Sequence, residues 1–180
     1  MRHLTARLTA AALVAAFAAT AAAPAAAQAP APTATPRPTS TNAAMMTKLL
    51  DEADLEYEVE ENDRIRLLYE FTDGRSQMLF LQPLSDLREV GIVEVYSPVM
   101  RIETATVPAA LGPRLLEATG GQKIAYFGIE DVEGKPWVFC YHNLPTTGLT
   151  SKSLAAVLIT VAEIADEMEK EQLGAAKDEF

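Results

Sequence analysis

The chain has 180 residues, with 25 acids against 15 bases for a formal charge of −10, two His, one Cys and 49% hydrophobic residues. That balance argues against general phosphate-backbone binding, which depends on clustered Lys and Arg, so nucleic acid is not an expected partner. A single cysteine, Cys140, excludes an intramolecular disulfide, and stability must come from an ordinary apolar core.

Met1 to Arg7 supplies two cations, and Leu8 to Ala23 then runs without a charge, rich in Ala with Leu13, Val14 and Phe17. These read as the n-region and h-region of an export signal, and Ala25-Ala26-Ala27 offers the small side chains that signal peptidase accepts. Residues 1–27 are therefore expected to be a signal peptide cleaved after Ala27, leaving no stable membrane anchor, because the run is less apolar than the ~20 residues that span a bilayer. No Cys follows the h-region, which closes the lipoprotein route. The expected location is the periplasm or the medium beyond it. Residues 28–42 hold Pro30, Pro32, Pro36 and Pro38 among Ala, Thr and Ser, and read as an extended, disordered linker. The folded domain is expected over 43–174, with a frayed tail at 175–180.

Asn42 is expected to cap a first helix, in which Met45, Met46, Leu49, Leu50 and Ala53 form one stripe. The period then drops to two, with Leu55, Tyr57 and Val59 in one strand and Ile65, Leu67, Tyr69 and Phe71 in the next. A three-residue turn at Glu61-Asn62-Asp63 pairs Val59 with Ile65 and sets Glu60 opposite Arg64 and Glu58 opposite Arg66, so apolar meets apolar and acid meets base. Asp73-Gly74 reads as a two-residue type I′ turn pairing Tyr69 with Met78 and Leu67 with Phe80. That register gathers Leu68, Leu79 and Leu81 on the otherwise polar face with Glu58 and Arg66, a candidate partner or dimer surface.

Val90 to Tyr96 is a further strand, and Ile102 to Val107 is expected to extend it beyond Pro98. Pro108 suits the start of a short helix with Leu111, Leu115 and Leu116, which Gly112-Pro113 bends or delays and Gly120-Gly121 ends. Lys123 to Glu130 and Lys135 to Leu144 are strands. The second places Trp137, Phe139 and Tyr141 on one face and Val138, Cys140 and His142 on the other, so it is expected to be internal to the sheet. Thr150 or Ser151 caps the strongest helix, with Leu154, Val157, Leu158, Val161, Ile164, Ala165 and Met168 on its stripe and Gly174 as its stop. The fold class is α+β, an antiparallel sheet with helices mainly on one face in the order α-β-β-β-β-α-β-β-α.

Chemical signatures are sparse. Cys140 and His142 share a strand face and would be the pair behind a thiol-dependent enzyme, yet catalytic pairs usually come from separate elements and a buried Cys is ordinarily inert. One Cys and one His after signal cleavage fall short of a zinc site. The acidic run Asp51 to Asp63 is explained by strand alternation rather than a calcium loop. No Gly-rich phosphate loop or G-x-S-x-G elbow occurs. No catalytic residue, metal ligand or cofactor is assigned.

The element order, and the tract from Trp137-Val138-Phe139 through Asn143-Leu144-Pro145 into Leu154, Val157, Val161, Ala165 and Asp166, resembles the YbjN family of bacterial sensory transduction regulators. The Pro108 to Glu117 helix, the strands across Gly128 and Gly134, and Asp54 to Tyr57 at the first strand carry the same resemblance. It implies a domain related in fold to type III secretion chaperones, protein-binding and often dimeric, without enzyme activity or cofactor. The expectation is an exported, non-enzymatic, chaperone-like or regulatory module that holds another protein or a second copy of itself. The alternative is a periplasmic small-molecule or cation-binding module, and a Cys140/His142 enzyme ranks below both.

Overall fold

Two turns of the same construction set the first half of the sheet. The structure, a computed structural model, describes residues 38–84, 90–104, 106–174 and 177–180. The expected signal peptide and the linker before Pro38 lie outside the described residues, all of which belong to the unit Ala34–Phe180. The elements are α1 (Thr41–Glu52), β1 (Glu58–Val59), β2 (Ile65–Glu70), β3 (Ser76–Pro83), β4 (Ile92–Arg101), α2 (Leu111–Gly121), β5 (Tyr126–Val132), β6 (Lys135–Pro145) and α3 (Ser151–Leu173). The expected α+β order is found, and the strands form one antiparallel sheet ordered β1-β2-β3-β4-β6-β5.

The first hairpin has the expected register. Val59 pairs with Ile65 and Glu58 with Arg66, and the Arg64–Glu60 and Arg66–Glu58 ion pairs form across it. Glu60 N donates to Arg64 O at 2.8 Å and Asp63 N to Glu60 O at 3.1 Å, with Asp63 in the left-handed region at φ 63°. The freed Asp63 carboxylate turns to the start of α1 and accepts from Thr39 N, Thr39 Oγ1 and Ser40 N, each at 2.7 Å. Ser40 Oγ in turn accepts from Ala43 N, so Ser40 is the cap and Asn42 lies inside the helix. The linker expected through residue 42 therefore ends earlier, because Thr39 to Asn42 are part of the domain.

The second hairpin repeats this turn and shifts the expected register by one. Phe71 N donates to Arg75 O at 2.8 Å and Gly74 N to Phe71 O at 3.1 Å, with Gly74 at φ 86°. Thr72-Asp73-Gly74 is thus a three-residue loop whose left-handed third position needs Gly, and Asp73-Gly74 is not a type I′ turn. Leu67 pairs with Leu79 and Tyr69 with Gln77. A slip of one residue exchanges the faces of the whole of β3.

The exchange points Leu79 and Leu81 inward with Ile65, Leu67, Val93, Val95 and Val138, under the apolar stripes of α1, α2 and α3. It also points Arg75 and Gln77 inward. They meet acids on α3: Arg75 Nε to Asp166 Oδ1 at 2.6 Å, Arg75 Nη2 to Glu169 Oε2 at 3.1 Å, and Gln77 Nε2 to Glu169 Oε2 at 2.8 Å. Glu169 is 0% exposed. Burial raises its pKa, opposed by the Glu179 N–H and by Arg75. Burial alone would lower the Arg75 pKa, but Asp166 and the neighbouring acids carry it above its ordinary value. Ser97 Oγ closes the chain by donating to Gln77 Oε1 at 2.7 Å.

The same cluster fixes the end of the chain. Arg75 Nη1 donates to Lys177 O, Ser76 N to Asp178 Oδ2, and Glu179 N to Glu169 Oε1 at 2.7 Å. The expectation of a frayed tail over 175–180 is corrected for Lys177 to Phe180, which are tied down by the core's own polar groups.

In β4, Pro98 cannot donate to the ladder, and a bulge between Pro98 and Met100 absorbs it inside an internal strand. The strand ends at Arg101, so Ile102 to Val107 does not continue it; Ile102 N donates to Pro136 O. Helix α2 begins at Leu111, delayed so that Pro113 falls in the first turn, where its missing N–H costs no helical bond. Strands β5 and β6 join through Glu133-Gly134, both at positive φ, a type I′ turn, and β6 is internal as expected. Thr150 and Ser153 form a capping box on α3, and Gly174 ends it.

Removing the Asp63 carboxylate frees the donors of Thr39 and Ser40, so Asp63→Ala is expected to cost about 1–3 kcal/mol in urea unfolding at pH 7. The Thr39 backbone bond is the largest cause holding the Asp63 carboxyl below the usual aspartate range. With a depressed folded pKa, the contribution is complete above the ordinary aspartate value of about 4 and is lost as pH falls through the lower folded value. The gap between variant and wild type should therefore narrow as the pH falls below about 4.

Candidate functional site

The surface expected from Leu68, Leu79 and Leu81 does not exist as one patch. Leu68 is 56% exposed on the open face of β2, whereas Leu79 and Leu81 are 2% and 0% exposed on the other face, beneath the helices. The cause is the three-residue turn at Thr72-Asp73-Gly74. What the corrected register brings to the open face beside Leu68 is Met78 and Phe80.

Phe80 opens a row of rings. It pairs with Tyr96 of β4, Tyr96 pairs with Tyr141 of β6, and Tyr141 pairs with Tyr126 of β5. Four neighbouring strands thus place an aromatic side chain at one level on the face opposite the helices. Phe80 and Tyr96 stack at 5.0 Å between centroids, Tyr96 and Tyr141 lie tilted at 5.9 Å, and Tyr126 and Tyr141 stack at 5.4 Å. Phe139 and Trp137 extend the surface along β6, stacked at 6.1 Å, and Phe180 of the docked tail lies 5.6 Å from Trp137. Aromatic pairs at these separations contribute ~0.5–1.5 kcal/mol each beyond area burial.

The rings and their neighbours line a concavity of about 510 Å³, with Arg64, Glu94 and Glu130 among its polar groups. Gly128, opposite Phe139, is what lets the Tyr141 ring lie down over β5: a Cβ there would sit 2.9 Å from Tyr141 Cε2. A second concavity of about 650 Å³, around Leu68 at the β1 end of the face, is lined by Glu56, Glu58, Arg66 and Glu70 together with Tyr57 and Met78. There the Glu58 carboxylate already holds Arg66.

The electrostatics single out the aromatic concavity. Tyr141 is 5% exposed, and its hydroxyl has no hydrogen-bond partner among the described residues. Burial, and then the nearby Glu130 carboxylate, push its pKa up, so it stays protonated. Burial also raises the Glu94 carboxyl, with Glu130 adding to it and the Tyr126 hydroxyl opposing at 3.4 Å. Arg64, by contrast, is engaged: it holds Glu60 and donates to Tyr96 Oη at 3.3 Å. The site is a half-desolvated aromatic surface that carries carboxylates and one buried hydroxyl.

No family model matches the chain, and no curated protein matches it. Among solved structures, YbjN from E. coli, described as a candidate transcription regulator, is similar over 73% of this chain and 90% of that one, at 11% identity and a TM-score of 0.49. The likeness is modest at that score. It concerns the path of the chain and assigns no activity, ligand or partner.

Cys140 and His142 do share a face, but it is the core face. The Cys140 thiol is fully buried, and burial pushes its pKa up to about 12, far from a thiolate nucleophile at neutral pH. His142 Nδ1 is engaged by the Ile124 carbonyl, which fixes that nitrogen as the donor. Among the described residues no group of three or more His, Cys, Asp or Glu is placed to hold a metal ion, and no helix is long and apolar enough to cross a membrane.

The corrected faces separate two leucines that the sequence groups together. Leu79→Glu places an unpaired carboxylate under α3 and is expected to unfold the domain, while Leu68→Glu, on the open face, is expected to leave the circular dichroism spectrum and melting temperature within a few degrees of wild type. Equal tolerance of both would contradict the register.

Proposed function

We propose that the protein is an exported, non-enzymatic module that binds another polypeptide along the open aromatic face of its sheet. The observation that carries this reading is the in-register row Phe80, Tyr96, Tyr141 and Tyr126, opposite the helix-covered face. A face meant only for water would alternate toward charged residues, as the β1 end does with Glu58 and Arg66. Aromatic side chains supply large contact area at low conformational cost, which is why binding surfaces are rich in them. The leader pattern Met1 to Ala27 supports export, and the buried, protonated Cys140 thiol speaks against the thiol-enzyme alternative.

A small organic ligand is the second reading, favoured by a concavity whose volume falls in the ~300–1,000 Å³ range of such sites. The deciding experiment is selection of a random peptide library on the immobilised protein, followed by direct titration of the enriched peptides. Enriched peptides are expected to lose affinity for Phe80→Ser and to retain it for Leu116→Ser, whose side chain is exposed on α2. Enrichment of nothing, or binding indifferent to Phe80→Ser, would contradict the polypeptide reading. Light scattering on size-exclusion effluent settles the remaining occupant: a dimer dissolved by Phe80→Ser would assign the face to self-association instead.

A further inference from the structure

The open face already uses its rings to hold cations. The Arg64 guanidinium lies 4.9 Å from the centroid of Phe80, and that of Arg101 lies 5.9 Å from Trp137. Both have carboxylate partners of their own, Glu60 for Arg64 and Glu103 with Glu179 for Arg101. Between these two positions the pattern is incomplete. Glu130 stands directly across from Trp137, and no cation of the chain is paired with it among the described ion pairs. Beside it, the buried Tyr141 hydroxyl, close enough to the Glu130 carboxylate to feel its charge, makes no hydrogen bond of ordinary geometry among the described residues, which is uncommon for a polar group so far removed from water. Rings, a carboxylate and a hydroxyl with open acceptor capacity form a receptor that lacks only its cation.

Resting on the polypeptide-binding reading above, we propose that this middle stretch takes an arginine side chain of the bound peptide. The guanidinium lies flat against the rings of Phe139 and Trp137, donates to the Glu130 carboxylate, and supplies Tyr141 Oη with the N–H it lacks. A planar guanidinium suits stacking and directed hydrogen bonds together, which a compact ammonium does not. Glu94 adds negative charge on the same concavity, and the net charge of −10 draws a basic segment toward the protein at long range.

Trp137 is the only tryptophan in the chain, so its emission reports on the site without a label. Blocked pentapeptides carrying one central arginine or its neutral isostere citrulline, and ethylguanidinium alone, are titrated at low ionic strength into the protein and into Glu130→Gln and Tyr141→Phe. The arginine peptide is expected to change the emission saturably and to bind about tenfold more tightly than the citrulline peptide. Glu130→Gln, a change at an exposed position that leaves the core untouched, is expected to weaken the arginine peptide about fivefold, and Tyr141→Phe by a smaller factor. Equal affinity for arginine and citrulline, or indifference to Glu130→Gln, would overturn the inference and leave the polypeptide-binding face standing. Ethylguanidinium binding as tightly as the peptide would reassign the site to a small organic cation. No response from the arginine peptide, while library-selected peptides still bind, sinks this inference alone; failure of both removes the reading beneath it.

Discussion

The contact between Arg75 and the two acids of α3, Asp166 and Glu169, is the constraint on which the other features depend. A guanidinium and a carboxylate taken out of water are costly, and they persist only where each finds the other with good geometry and further hydrogen bonds. Here Gln77, the Glu179 N–H and the Lys177 carbonyl complete the set. Arg75 can reach Asp166 and Glu169 only if it points to the helix side of β3. That requirement selects a three-residue loop at Thr72-Asp73-Gly74 over a two-residue one, and the choice propagates along the strand. Leu79 and Leu81 go into the core, Met78 and Phe80 come out, and the chain end is held where Phe180 can cover Trp137.

A division of labour between two apolar chemistries follows. The helix side is filled by Leu, Ile and Val, whose branched shapes interdigitate with helical stripes at the density of a protein interior. The open side carries rings, which pack on one another edge to face or offset and so form a half-buried surface that no helix of the described residues covers. Gly128 belongs to this arrangement, since any side chain there would lift Tyr141 off β5. On the proposed reading, a rigid aromatic face with a buried hydroxyl and carboxylates around it would lower the ordering cost of binding.

The sequence made the fold legible and the site only partly so, for reasons visible at particular residues. The first hairpin was readable because one register alone sets Glu58 and Glu60 opposite Arg66 and Arg64. The second was ambiguous, because Met78 and Phe80 pair with β2 as plausibly as Leu79 and Leu81 do. The correct register buries Arg75 and Gln77, which looks unfavourable until the acids of α3, more than ninety positions away, are brought beside them. Local pattern cannot supply a partner at that separation. The aromatic face had a signal: Trp137, Phe139 and Tyr141 already shared one side of β6. It became a site only when β3 and β4 delivered Phe80 and Tyr96 to the same level.

The most direct test is a double-mutant cycle on the contact itself, with Arg75→Met, Glu169→Leu and the pair together, measured by urea unfolding at pH 7. Arg75→Met strands the buried Glu169 carboxylate and should cost on the order of 3–5 kcal/mol, Glu169→Leu should cost less because Arg75 keeps Asp166, and the double change should cost less than the sum of the two singles. Additive costs, with the double variant as unstable as the sum of the singles, would mean that Arg75 and Glu169 do not meet. The β3 register, and with it the aromatic face, would then be wrong.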